Sequence, residues 1–85
     1  MYIVVQHRVR DPQAFLSGIQ ASQAGLPAGV NPLQVLPNAD GTSVTCLWQA
    51  GSLEAVRAVV EESVGPVSEN QYYEVNTDAA LGLPS

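Results

Sequence analysis

Asn38-Ala39-Asp40-Gly41-Thr42-Ser43-Val44-Thr45-Cys46-Leu47-Trp48-Gln49 is the stretch that decides how this chain folds. Asp-Gly supplies the positive-φ backbone that a tight hairpin turn needs. The residues after it are dense in β-branched and aromatic side chains, which favour a pleated, half-buried strand. A strand over Thr42 to Gln49 is expected, with Val44, Cys46 and Trp48 on one face. Leu47 sits opposite them, with Ser43, Thr45 and Gln49. Before the turn, Leu33 to Leu36 forms a shorter strand closed by Pro37, and that proline confines it to a sheet edge.

On either side of this hairpin the chain repeats one order of elements. Tyr2 to Val9 reads as a strand, with Ile3, Val5, His7 and Val9 on one face and Tyr2, Val4, Gln6 and Arg8 on the other. Asp11-Pro12 then announces a helix: aspartate caps it, and proline at the first helical position gives up only a donor that has no helical partner anyway. Phe15, Leu16 and Ile19 form its apolar stripe, and it fades before Gly25. After the hairpin, Ser52 caps a second helix with Glu54 in its first turn and a stripe of Leu53, Val56, Val59, Val60 and Val64. Arg57 is spaced to pair with Glu54 and Glu61. Gly65-Pro66 stops this helix, and Glu69 to Asn76 is the last strand, with Tyr72 and Glu74 facing away from Tyr73 and Val75.

Two crossover units joined by a hairpin give a ferredoxin-like βαββαβ fold of the α+β class. It is a four-stranded antiparallel sheet with two helices on one face, the first and third strands at its centre. The expected organisation is one domain over residues 1–76 and a C-terminal tail over 77–85. A chain of 85 residues buries only ~60% of the surface its unfolded form exposes. One cysteine and one histidine provide neither a disulfide nor a structural zinc site, so a partner is the remaining way to enlarge the core. The charged fraction of 13%, against a usual ~25%, fits a protein that hides surface in a homodimer or higher homo-oligomer.

The net charge of −5 rests on eight acids against Arg8, Arg10 and Arg57, with no lysine. That excludes a basic footprint for nucleic acid and disfavours anionic membranes. No apolar run approaches the ~18 residues of a membrane span. The amino terminus lacks the pattern of a secretory signal, and a free thiol fits a reducing compartment, so a cytoplasmic location is expected.

Three stretches carry a resemblance to a known group. They are Tyr2-Ile3-Val4-Val5-Gln6-His7, the segment from Thr45 to Arg57, and Asn70-Gln71-Tyr72-Tyr73-Glu74-Val75. Together they resemble the dimeric α/β-barrel superfamily of short ferredoxin-like proteins. The resemblance implies that two open sheet faces pair into a barrel with room for a small organic molecule. Members include isomerases, cyclases and cofactor-free monooxygenases, alongside proteins without known activity. The segment around Cys46 also resembles a small subfamily that includes a nickel-binding protein, which implies metal binding through symmetry-paired His7 residues as one reading. Nickel sites need several histidine-type ligands, and this chain has one.

Candidate ligand-binding residues are Gln6, His7, Arg8, Trp48, Tyr72 and Tyr73. His7 is the only acid–base candidate with an ordinary pKa near neutrality. It stands either at a cavity mouth or hydrogen-bonded and inert at the end of a central strand. Arg8 is either an anion-binding group in the cleft or one half of an intersubunit ion pair, with Glu74 on the neighbouring strand expected within its reach. The three aromatics line a pocket or simply fill core and interface. Cys46 reads as a small buried hydrophobe, Glu61-Glu62 as an exposed helical end, and Asn70 as a ligand-orienting or strand-capping group. No glycine-rich phosphate loop, Ser–His–Asp set or paired-cysteine motif is present, so no cofactor, no dedicated metal centre and no catalytic set are assigned. Two functional readings follow from these residues: a small-molecule binder at the open face, or a non-catalytic assembly module.

Overall fold

The computed structural model describes residues 1–84. The strands are β1 (Tyr2–Val9), β2 (Asn31–Pro37), β3 (Ser43–Gln49) and β4 (Ser68–Glu74); the helices are α1 (Pro12–Ser22) and α2 (Leu53–Val64). All strand pairs are antiparallel, in the order β2-β3-β1-β4. This is the ferredoxin-like arrangement, with β1 and β3 at the centre and the proline-bearing β2 at an edge.

Local chemistry sets each boundary. The Asp11 carboxylate accepts from the Ala14 amide at 3.1 Å, and the Ser52 hydroxyl accepts from the Ala55 amide at 3.1 Å, so both helices start on side-chain caps. In the hairpin, Gly41 takes φ +77°, while the Asn38 amide donates to the Ser43 carbonyl at 2.8 Å. Asp40 accepts from the Thr42 hydroxyl and amide, and these bonds hold its carboxyl below the usual range. β2 begins two residues earlier than Leu33, because a register shift between Pro32 and Gln34 lets the ladder continue past it.

The core lies between the sheet and the helices. Ile3, Val5, Val44, Cys46 and Trp48 supply the sheet side, and Phe15, Ile19, Val56, Val60 and Val64 the helix side. Full burial of each large aliphatic or aromatic chain contributes roughly 1.5–3 kcal/mol. Leu16, expected in the α1 stripe, is instead 47% exposed, because Phe15 and Ile19 take the positions that face the sheet. Arg57 pairs with Glu54 at 2.8 Å but not with Glu61, whose carboxylate is turned to β4.

The two helices approach closely at Gly18. A Cβ there would stand 2.7 Å from the Ser63 carbonyl oxygen and 3.0 Å from a Val64 methyl. Alanine normally stabilises a helix interior by up to ~1 kcal/mol over glycine. Here the sign should reverse: Gly18→Ala is expected to cost about 1–3 kcal/mol in urea denaturation, since the backbone carbonyl must move. Gly25→Ala, with nothing within 4 Å, should stay within about 0.5 kcal/mol of the parent. A Gly18→Ala protein as stable as the parent would contradict this helix packing.

Candidate functional site

Residues directly opposite in antiparallel strands share a face, so the register lays out the uncovered side of the sheet in rows. One row is Gln34, Leu47, Val4 and Tyr73; the next is Leu36, Thr45, Gln6 and Gln71; the last is Ser43, Arg8 and Glu69. Tyr2 and Gln49 stand at the opposite end from Arg8. The face therefore grades from apolar to polar along the strands. Leu36 is 56% exposed and Tyr73 51%, although neither carries a charge. At the Tyr2 end the tail folds back, and the Tyr2 hydroxyl donates to the Pro84 carbonyl at 2.9 Å.

The polar end is concave. A cavity of about 310 Å³ is lined by Gln6, Arg8, Ser43, Thr45, Glu69 and Gln71. His7 and Val44 complete its floor, with their side chains turned to the helices. Glu69 lies opposite Arg8 in the register but makes its ion pair with Arg10, at 3.8 Å. Arg8 forms no ion pair among the described residues. Within the chain Glu74 is not within reach of Arg8, because it stands opposite Ile3, on the helix side and at the far end of the strand.

His7 belongs to a different, buried system. It is 3% exposed, and its ring meets Phe15 edge-on with centroids 4.9 Å apart. Its Nδ1 is 2.6 Å from Asn70 Oδ1, while Asn70 Nδ2 donates to Glu61 at 2.9 Å. Because the Asn70 amide nitrogen is committed to that carboxylate, its oxygen faces His7, and Nδ1 must carry the proton. The Tyr72 hydroxyl also donates to Glu61, and the Ser68 hydroxyl lies 2.8 Å from Asn70 Oδ1. Nε2 of His7 is left as a buried acceptor with no protein partner, and the Trp48 indole N–H as a buried donor with none. Burial lowers the His7 pKa, against the Asn70 hydrogen bond and the Glu61 charge. Hydrogen bonds from Tyr72 and Asn70 lower that of Glu61, and burial followed by the Glu61 bond raises that of Tyr72. The Arg57 guanidinium lies 5.1 Å from the Tyr72 ring centroid, closing the network at the surface.

The six sequence candidates thus divide between the two sides of the sheet. Gln6, Arg8 and Tyr73 lie on the open face; His7, Trp48 and Tyr72 lie beneath the helices. His7 meets Gln6 and Arg8 only at the cavity floor; the side chains of the two groups lie on opposite sides of the sheet. Ser43, Thr45, Glu69 and Gln71 were not singled out from the sequence, although strand alternation combined with the correct pairing register would have placed each beside Arg8 or Gln6. Glu61 is exposed, as expected of a helix end, and it also accepts hydrogen bonds from Asn70 and Tyr72. Cys46 is fully buried, and burial pushes its thiol up to about 12. Among the described residues, no group of three or more His, Cys, Asp or Glu side chains is placed to hold a metal ion, and no helix is long and apolar enough to cross a membrane.

The buried network carries a pH signature. The unfolded chain takes up a proton on His7 near pH 6.5 that the folded core resists. Stability is therefore full above pH 6.5 and falls as pH drops below it, until the folded state also titrates. Glu61 adds a separate loss as pH falls through about 4.5, where the unfolded carboxylate takes up a proton that the hydrogen-bonded carboxylate of the folded state resists. Urea denaturation between pH 7.5 and 3.5 should show both stages, with His7→Gln removing the upper one and Glu61→Gln the lower. An unchanged slope between pH 7 and 5.5 in His7→Gln would place the titrating group elsewhere. With its thiol pushed up to about 12 and fully buried, Cys46 should leave the native protein resistant to thiol reagents until it unfolds.

No protein-family model matches this chain, and no curated protein matches it. Among solved structures it is similar to Rv0793 from Mycobacterium tuberculosis, with a TM-score of 0.51 and 14% identity over 93% of this chain and 98% of that one. At that identity the likeness concerns the fold alone, and with the strand order and two helices described above the chain has a ferredoxin-like α+β fold.

Proposed function

We propose that this protein is a homodimer that binds a small organic molecule on its open sheet face, in the cavity beside Arg8. The observation that carries the reading is that cavity itself. It is at the lower end of the volume of small-molecule sites, and its hydrogen-bonding groups converge from three strands beside an apolar row. The dimer follows from the same surface. Half the molecule's layers are missing from one side of the sheet, and Val4, Leu47, Leu36 and Tyr73 stand where a second layer would bury them. The fully buried free thiol of Cys46 suits a reducing cytoplasm.

Binding is supported better than catalysis by histidine, because His7 is held under α1 and its free nitrogen is shut off from the cavity. The same placement weighs against a metal shared between two His7 side chains across paired open faces. The assembly-module reading uses the identical interface without a ligand, and one set of measurements separates the two.

Sedimentation at micromolar concentration should show a dimer of the 9.0 kDa chain. Leu47→Lys, which sets a charge in the apolar row, should shift it to monomer while leaving far-UV circular dichroism intact. A thermal-shift screen of metabolites should find selective stabilisation, since a ligand at a hundred times its Kd adds about 2.7 kcal/mol. A monomeric parent protein refutes the dimer. A dimer that no small molecule stabilises leaves the assembly module as the function.

A further inference from the structure

We infer that the open-face site takes an organic acid, its anionic group on Arg8 and its apolar body along Val4, Leu47 and Tyr73. This rests on the reading that the open face binds a small molecule, and it adds the ligand's chemical class. Charge placement is the first observation. The chain carries −5 overall and three cations, yet Arg8 and Arg10 both stand at one end of the sheet, with Glu69 as the acid between them. Glu69 pairs with Arg10, which leaves Arg8 without an ion pair among the described residues. A guanidinium offers a planar fork of donors that matches a carboxylate in two parallel hydrogen bonds. Ser43, directly opposite Arg8 on β3, adds a hydroxyl to the same corner.

The second observation is the gradient of the face. Arg8 and Val4 are four residues apart on β1, a span of roughly 13 Å along the strand. Gln6, Thr45 and Gln71 occupy the row between, with amides and a hydroxyl suited to a polar substituent in mid-ligand. Beyond them Val4, Leu47 and Tyr73 form a continuous apolar row across three strands. A molecule that satisfies both ends has one anionic terminus and a flexible or aromatic body of about that length. Simple inorganic anions would leave the apolar row unused, and an amine would meet Arg8 with like charge.

The test is calorimetry on the full chain at neutral pH and low salt, with octanoate and 3-phenylpropionate against octan-1-ol, octylamine and acetate. The two acids are expected to bind at least about tenfold more tightly than the alcohol or the amine, in line with the strength of charged hydrogen bonds, and than acetate, which leaves the apolar row unused. Arg8→Gln should weaken octanoate by a similar factor and leave octan-1-ol unchanged. Arg8 is exposed, so the variant should keep its fold, with far-UV circular dichroism as the check. Alcohol or amine binding as tight as octanoate, or octanoate binding indifferent to Arg8→Gln, overturns the organic-acid assignment and leaves the binding reading standing. Absence of binding by these probes together with a blank metabolite screen removes both.

Discussion

The alternation of side chains along β1 is the constraint on which the rest depends. This strand is hydrogen-bonded on both edges, so its register is fixed by β3 and β4 together. Ile3, Val5, His7 and Val9 are committed to the helices, and Tyr2, Val4, Gln6 and Arg8 to the open side. A slip of one residue would bury Arg8 and expose three large aliphatic chains, a cost no hydrogen bond of the ladder could offset. The two-sided character of the molecule therefore begins in its first strand. Gly18 completes it by letting α1 and α2 lie close enough to cover one face with only two helices.

Placing a histidine in the buried row creates a problem that β4 and α2 solve jointly. Asn70 stands directly opposite His7, and α2 brings Glu61 over Asn70 and Tyr72. The result is a chain of hydrogen bonds running from the core to a solvent-exposed carboxylate. Such networks fix orientation because each amide and hydroxyl has only one consistent arrangement, and a missing member leaves the others unpaired in a low-dielectric setting. The lone pair left on His7 Nε2 is tolerated as long as the ring is neutral, which ties the integrity of α1 packing to protonation.

The open face follows the opposite logic. Both helices pack on the other side of the sheet, and among the described residues Arg8 is left without an ion pair on this side; its rows are sorted along the strands into a polar set beside Arg8 and an apolar set at Val4. The tail reaches only the Tyr2 end. The cavity at the Arg8 end, among side chains from β1, β3 and β4, is where the molecule presents groups that neither packing nor caps require.

Periodicity, caps and turns made most of the fold legible in the sequence. Asp11-Pro12, Ser52, Asp40-Gly41 and Gly65-Pro66 are short-range signals whose physics lies within a few residues, and each boundary they mark agrees with the structure to within a residue or two. Which residues of β1 share a face was equally plain, since a period of two needs no partner. Partnership across strands was not. Arg8 was matched with Glu74 when its neighbours are Ser43 and Glu69, and Trp48 and Tyr72 were grouped with Gln6 although they lie beneath the helices. Leu16 differs for the same reason, since each helix's roll against the sheet decides which of several apolar positions is covered; Glu61 is exposed as expected, but its bonds to Asn70 and Tyr72 depend on that roll too. The sequence by itself determined the elements, their order and the alternation within each strand, because those depend on neighbours in the chain. Only the tertiary structure decided which side chains meet, because register and helix roll are settled by packing between segments far apart in sequence.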